Sequence, residues 1–203
     1  MWLGELIRLA TLQQPFLMGV LISVSMGIIL TLPISSAAIC HALGLVGLAG
    51  GAAVAGCCAH MVGFAVLSYR ENKLGGLASV GLGTSMLYMP NLLKKPILWL
   101  PPVIASAITG PLATCVFKLQ MNGAAISAGM GTCGLVGPIG VVTGWFTPSE
   151  DALAAGLTAV SPGVMDWLGL VLICLVLPAV LTWLTAALMR KKGLIQDGDL
   201  KLV

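Results

Sequence analysis

Two segments of the chain carry matched hydroxyl side chains in a glycine-rich setting. At one constant offset, GGLASVGLGTSMLYMP (75–90) aligns with GAAISAGMGTCGLVGP (123–138), and both segments close on a proline. Hydroxyl and amide groups donate and accept hydrogen bonds without carrying charge, which suits them to a small polar solute. The predicted substrate-binding residues are the matched hydroxyls and the two flanking asparagines: Ser79, Thr84, Asn91, Asn122, Ser127 and Thr132.

The glycines of these segments predict a broken backbone. Each glycine costs a helix about 1 kcal/mol relative to alanine, and an interior proline costs about 3 kcal/mol. At membrane depth, such backbone is tolerated only against protein or beside a watery cavity. We therefore predict re-entrant or broken segments at 75–91 and 123–140, entering from opposite faces as an inverted repeat. Close helix packing alone is the alternative explanation for the repeated small residues.

The composition requires a lipid environment for most of the chain. Of its 203 residues, 58% are hydrophobic and only 8% are charged, with a mean hydropathy of +1.04. A soluble domain has about a quarter of its residues charged. The sequence therefore predicts an all-α polytopic membrane protein with a single membrane domain over 1–203. The net charge of +3 and the absence of a basic stripe exclude a nucleic-acid partner.

Apolar runs place the helices that must position the repeated segments. A spanning helix needs about 20 apolar residues, and 16–36, 97–117 and 164–189 satisfy this requirement. The run 37–69 is too long for one perpendicular helix, so it is tilted, kinked near Gly50-Gly51, or split in two. Together these runs predict about four to six transmembrane helices.

Basic residues indicate the orientation. Arg190-Lys191-Lys192 follows the last apolar run, and YRENK (69–73) ends the second. Because cytoplasmic loops are enriched in Lys and Arg, we predict a cytoplasmic tail at 190–203, polar enough to be solvated. Small residues over 44–56 offer a face for close packing in lipid, which predicts a homodimer.

Cysteine and histidine residues raise the question of metal binding. His41 follows Cys40, and His60 lies two residues after Cys57-Cys58. These are soft metal ligands, but their spacing matches no compact zinc pattern. No Ser–His–Asp set, P-loop or dinucleotide fingerprint is present. The sequence therefore predicts no catalytic residue, no metal and no cofactor.

Four motifs carry a family resemblance. They are LTLPISSAAI (30–39), GCCAHMVGFAVLSYREN (56–72), GGLASVGLGTSMLYMPN (75–91) and GMGTCGLVGPIG (129–140). The chain resembles the membrane subunit IIC of phosphotransferase-system transporters, in the type-2 EIIC family that also contains the perfringolysin-regulator membrane proteins. The resemblance extends over about residues 12–203 and corresponds to the C-terminal portion of longer family members.

The resemblance implies a function and partners. It implies a bacterial plasma (inner) membrane transporter subunit for a sugar-like solute, which a separate IIB subunit, supplied by IIA, phosphorylates. Better-studied branches place a carboxylate and a histidine at the sugar. Neither repeat contains an acidic residue or a histidine, so the resemblance transfers no catalytic residue. A membrane sensor or regulatory protein without transport turnover is the alternative.

Overall fold

The backbone is predominantly helical, as the composition predicts. The computed structural model describes residues 2–202, and within this range it contains no β-strand, only an isolated antiparallel bridge between Gly47 and Met121. Its α-helices are α1 (Trp2–Gln13), α2 (Pro15–Thr31), α3 (Ser36–Leu43), α4 (Gly47–Leu67), α5 (Tyr69–Ala78), α6 (Met89–Lys94), α7 (Leu100–Pro111), α8 (Ala125–Ala128), α9 (Val136–Phe146), α10 (Glu150–Ala154), α11 (Val164–Val171) and α12 (Leu177–Lys191).

Three helical stretches in the described range are long and apolar enough to cross a membrane. They are Gly47–Leu67, Pro96–Val116 and Val164–Lys191, and Pro15–Thr31 and Cys133–Phe146 are shorter apolar helices. The last stretch contains a π turn at Leu172–Val176, just before Pro178. Proline has no N–H to continue the helical ladder, so the turn lies where the ladder is interrupted. The prediction of a polytopic α-helical membrane protein is confirmed.

Helix α4 forms the centre of the bundle. Helices α2, α7 and α12 pack around it, and its side chains are almost all buried. Glycines permit this close approach, because a Cβ at Gly51 would overlap the carbonyl oxygen of Leu119, and one at Gly56 would overlap that of Ser23. The small-residue stretch 44–56 is therefore covered within its own chain. It does not provide the surface that the sequence assigned to a homodimer partner.

The long apolar run 37–69 is split in two. Helix α3 ends at Leu43, where Gly44 caps it in the left-handed conformation with a φ of 57°, and α4 begins at Gly47. Glycine adopts this conformation at low cost, which makes it a common helix terminator. Helix α4 continues without a break through Gly50-Gly51. Of the three predicted alternatives, the split is the one observed.

Two hairpins enter the bundle from opposite ends. Hairpin 1 (residues 69–94) follows α4 directly, so its base lies at the end of the bundle marked by Leu67, the Leu67 end. Hairpin 2 (residues 119–146) starts at the other end, the Gly47 end. There Met121 and Gly47 exchange backbone hydrogen bonds of 2.8 and 3.0 Å. The two glycine-rich segments thus approach each other from opposite directions.

The C-terminal tail is anchored on hairpin 1 by two buried apolar residues, while most of its other residues are exposed to solvent. Leu200 is completely buried and Ile195 is 3% exposed, both in a cluster with Tyr88 of hairpin 1. Lys95 Nζ lies 2.6 Å from Asp199 Oδ2. The physical reason is that a few apolar side chains in a polar tail are enough to cover the apolar base of a neighbouring hairpin.

Basic residues are concentrated at one end. Of the ten Lys and Arg residues, all but Arg8 and Lys118 lie at the Leu67 end, on or directly after hairpin 1 or at and beyond the end of α12. Glu5, Glu150 and Asp151 belong to the Gly47 end. The bundle is therefore strongly polarised along its axis, with its positive end at Leu67.

Candidate functional site between the hairpin tips

The tips of the two repeated segments touch each other. Thr132 of hairpin 2 is buried, and its Oγ1 donates a hydrogen bond of 2.5 Å to the carbonyl oxygen of Gly81 in hairpin 1. Hairpin 1 breaks its helix with a π turn at Ser79–Gly83, followed by an extended Thr84. Hairpin 2 breaks at Gly131, which has a φ of 53°. The repeated glycines therefore provide the two breaks whose exposed polar backbone meets inside the bundle.

A third break, between α2 and α3, joins this meeting point. Thr31 at the end of α2 lies with its Oγ1 3.1 Å from Ser85 Oγ of hairpin 1, and both residues are buried. Ser36 at the start of α3 donates from Oγ to the carbonyl oxygen of Gly129 in hairpin 2, at 2.7 Å. The residue before the α2–α3 turn (residues 32–35) thus binds hairpin 1, and the residue after it binds hairpin 2.

A cavity of about 200 Å³ opens where the three breaks converge. Its lining combines hydroxyl groups with apolar and thioether side chains: Leu30, Ser35, Ser36, Thr84, Met86 and Met130. Thr84 Oγ1 accepts a hydrogen bond from the N–H of Met86 at 3.2 Å, and Ser35 Oγ accepts one from the N–H of Ala38 at 3.2 Å. Within the described residues, neither O–H has an acceptor, so both can donate to a solute.

Comparison with known proteins places the chain in a family. The family model described as phosphotransferase system, EIIC, matches residues 1–202. The chain belongs to this family. No curated protein and no solved structure matches it significantly. As an EIIC protein, it is a membrane-embedded component of a phosphotransferase-system permease.

The predicted threonines of this EIIC chain have different roles. Thr84 lines the cavity and has its O–H available. Thr132 lies at the tip contact, where its O–H is already donated to Gly81. The matched positions in the repeat therefore give one hydroxyl that faces the cavity and one that joins the two hairpins.

The predicted serines lie away from the cavity. Ser79 is exposed and donates from Oγ to the carbonyl oxygen of Gly75 in its own helix, at 2.7 Å. Ser127 is half-buried and packs against Gly140, where an added Cβ would lie 2.7 Å from Ser127 Cβ. Both residues contact their own hairpin rather than the space between the hairpins.

The predicted asparagines bind connecting segments at the bases of the hairpins. Asn91 donates from Nδ2 to the carbonyl oxygens of Asp199 at 2.8 Å and Lys201 at 3.3 Å, both in the tail. Asn122 is completely buried and donates to the carbonyl oxygen of Thr158 at 3.2 Å. Each asparagine thus fastens its hairpin to the chain segment that closes that end of the bundle.

The cysteine and histidine residues are not brought together as a metal site. The described residues contain no group of three or more His, Cys, Asp or Glu side chains that could hold a metal ion. His60 lies in α4, where Nδ1 is 3.2 Å from the carbonyl oxygen of Gly56 and Nε2 is buried with no partner in the part of the chain that the structure describes. The ring fills the space left by Gly27 of α2, which gives it a packing role between two helices.

Several residues at the meeting point were missed by reasoning from the repeat. Thr31, Ser35 and Ser36 flank the Pro33 break, which lies outside both repeated segments. Ser85 is inside the first segment, but the matching position in the second is Cys133. A search for identical residues in the two segments therefore does not select Ser85. The sequence does contain a signal for this break, because Pro33 and the nearby Ser35 and Ser36 interrupt an otherwise apolar run.

Proposed function

We propose that this EIIC chain binds and translocates a small, neutral, polar solute of the sugar class. The observation that carries the proposal is the cavity at which two opposed hairpin tips and the α2–α3 turn converge. Broken helices that meet inside a bundle from opposite ends form the type of site that transporters use for polar substrates. Membership of the EIIC family supports the same interpretation.

The lining favours a polyhydroxylated solute over an ion. Among the described residues, no charged side chain lines the cavity, and an ion there would lose hydration without gaining a counter-charge. Ser35 and Thr84 offer hydroxyl donors, while Leu30, Met86 and Met130 offer apolar surface. A sugar ring has both hydroxyl edges and apolar C–H faces, so it can satisfy both kinds of lining.

The tip contact provides a barrier on the proposed path. Hairpin 1 closes the route from the Leu67 end and hairpin 2 the route from the Gly47 end, and the Thr132–Gly81 hydrogen bond joins them. Movement of one hairpin away from the other would expose the cavity to one end only. Such alternation is the minimum requirement for carrying a solute across a membrane without an open pore.

The charge distribution supports an orientation and partners. Because cytoplasmic loops carry the excess of Lys and Arg, we place the Leu67 end and the C-terminal tail on the cytoplasmic side of a bacterial plasma membrane. Separate IIB and IIA proteins would deliver phosphate to the solute from that side. We also propose a homodimer, held through surfaces other than the buried 44–56 stretch.

Ligand-induced stabilisation tests the solute class. We expect selected sugars or polyols, screened against the purified protein, to raise its melting temperature, because a ligand that binds only the folded state stabilises it. Solute-dependent accumulation in proteoliposomes containing IIB, IIA and a phosphate donor would distinguish transport from sensing. Failure of every sugar and polyol to stabilise the protein would contradict the proposal.

The Thr84→Val substitution tests the cavity itself. Removing one hydroxyl that is bonded to a neutral solute should weaken affinity by about threefold to tenfold, with only a small drop in melting temperature, because the exposed N–H of Met86 that loses its bond to Thr84 can bind water instead. Thr132→Val should instead lower the melting temperature, because Thr132 joins the hairpins. Ser79→Ala is the matched control, since Ser79 bonds only within its own helix. Unchanged affinity in Thr84→Val would remove this cavity from consideration as the solute site.

A further inference from the structure

We propose that a groove on the outside of the bundle is a binding site for an anionic phospholipid, with the phosphate at Arg70 and an acyl chain against the joined hairpin tips. The groove lies between α4, the two hairpins and α12. It is separate from the solute cavity, and the inference does not depend on the identity of the solute.

The groove is formed by two continuous cavities. One, of about 210 Å³, lies at the Leu67 end and is lined by Tyr69, Arg70 and Trp183. The other, of about 450 Å³, lies along the outside of α4 toward the hairpin tips. Val66 and Leu77 line both. The site therefore has a polar, basic mouth that opens onto a longer body.

The body of the groove is apolar and reaches the tip contact. Its walls include Val62, Leu82, Leu135 and Leu175, and small side chains such as Ala179 keep it open. Gly81 and Thr132, the residues that join the hairpins, line the same cavity. A groove with apolar walls that opens at membrane depth suits an acyl chain, and a chain lying in it would contact both hairpins at once.

The mouth selects an anionic head group. Arg70 is exposed, and no acidic partner for it occurs among the described residues, whereas Arg190 beside it is paired with Glu71 and Asp197. Tyr69 and Trp183 flank the mouth, as aromatic residues do at the level of lipid head groups. Basic pockets between transmembrane helices are the usual sites for anionic lipid head groups.

A second copy of this chain fits the mouth less well than an anionic lipid does. Two copies in one membrane share an orientation, so a partner would have to bring an acidic group from its own Leu67 end. The acidic residues described at that end are already paired within the chain, Glu71 and Asp197 with Arg190, and Asp199 with Lys95. A lipid phosphate supplies the missing negative charge without breaking these pairs.

Lipid titration of the purified protein tests the proposal. In zwitterionic detergent, dioleoyl phosphatidylglycerol should bind saturably and raise the melting temperature more than dioleoyl phosphatidylcholine, which has the same acyl chains. Arg70→Gln should reduce the affinity for phosphatidylglycerol about fivefold, the factor that corresponds to about 1 kcal/mol per basic residue near an anionic surface. Lys192→Gln, an exposed cation of the same end outside the groove, should leave the preference unchanged.

A second pair of variants tests the body of the groove. Ala179→Phe places a large side chain in the groove and should abolish saturable binding of phosphatidylglycerol. Val180→Phe, at an exposed neighbouring position outside the groove lining, should not. Equal stabilisation by both lipids, or an unchanged preference in Arg70→Gln, would overturn the proposal. A change of oligomeric state in Ala179→Phe without loss of lipid binding would identify the groove as a protein interface and would also overturn it.

Discussion

The two hairpins share a sequence pattern but differ in how tightly their matched glycines are packed. In hairpin 1, a Cβ added at Gly75 or at Gly83 would meet no atom within 4 Å. In hairpin 2, a Cβ at the matched Gly123 would overlap the backbone oxygen of Gly140, and one at Gly131 would lie 2.8 Å from the backbone of Cys57. The matched glycines thus border open space in hairpin 1 and make close backbone contacts in hairpin 2.

This difference indicates which hairpin is free to move. The tip of hairpin 2 is held between α3 and α4, because the backbone of Gly129 contacts Ser36 and that of Gly131 contacts Cys57. Hairpin 1 is held at its base by the tail and at its tip by Ser85 and the bond from Thr132. Segments with few close contacts open at the lowest free energy. We therefore expect hairpin 1 to be the moving element and hairpin 2 to be the fixed one.

Matched glycine substitutions should give the largest difference between the hairpins. Gly123→Ala forces a methyl group into the backbone of Gly140 and should lower the free energy of unfolding by about 1–3 kcal/mol or more, as overpacking does. Gly75→Ala adds a methyl group in open space within α5 and should be neutral or stabilising by up to about 1 kcal/mol. Melting temperatures of the two variants in one detergent provide the measurement. Equal destabilisation by both would refute the proposed difference in packing.

The asparagines at the two bases should give the next largest difference. Asn122→Ala leaves the carbonyl oxygen of Thr158 without its partner, but it also removes Oδ1, which has no partner among the described residues, so the cost should lie toward the lower end of about 1–3 kcal/mol. Asn91→Ala should cost less than about 1 kcal/mol, because the tail carbonyl oxygens that it binds lie near an exposed end where water can replace it. Limited proteolysis of the tail should accelerate in Asn91→Ala and stay unchanged in Asn122→Ala. Faster cleavage of the tail in Asn122→Ala would contradict the assignment of each asparagine to its own segment.

The parts of the fold set by local chemistry could be predicted from the sequence. Run length and hydropathy located the spans, and glycine and proline located the breaks at 75–91 and 123–140. The repeat alignment selected both Thr84, which lines the cavity, and Thr132, which lies at the tip contact. It could not distinguish them, because their positions depend on which surface each break faces. The small residues of α4 indicated close packing but not its partner, which turned out to be the chain itself. The burial of Leu200 depends on long-range packing, and no local pattern around it reports it.

The packing of the tail also limits what the charge pattern alone could predict. Lys95 and Asp199 are far apart in the sequence, yet they pair at 2.6 Å because Leu200 anchors the tail on hairpin 1. A basic cluster near the end of a membrane chain indicates orientation, but it carries no information on whether the residues beyond it are free. The contrast between the hairpins therefore extends to their bases, where this ion pair is specific to hairpin 1.

The smallest expected effect is a pH dependence at that ion pair, which hairpin 2 lacks. Burial by itself would raise the pKa of Asp199, but hydrogen bonds from Lys95 and from the N–H of Gln196, with the charges of Lys95 and Arg190, lower the pKa below its ordinary value of 3.8. A carboxyl whose pKa is lowered in the folded state contributes stability above its unfolded pKa and loses it as the pH falls through the folded pKa. The pair is partly exposed, with 31% and 21% of the side chains accessible, so we expect no more than about 1 kcal/mol.

A spin label on the tail can detect this small effect. With Cys115 and Cys133 replaced by serine, a label at Lys201→Cys should gain some mobility only below pH 3.8, as Asp199 takes up a proton. Asp199→Asn should raise the mobility of the label at neutral pH and remove the acid-dependent step, because the amide cannot form the ion pair. Glu150→Gln, at the opposite end, is the control and should keep the step. A step of equal size in Asp199→Asn would assign it to another group and would break the link between the tail and the base of hairpin 1.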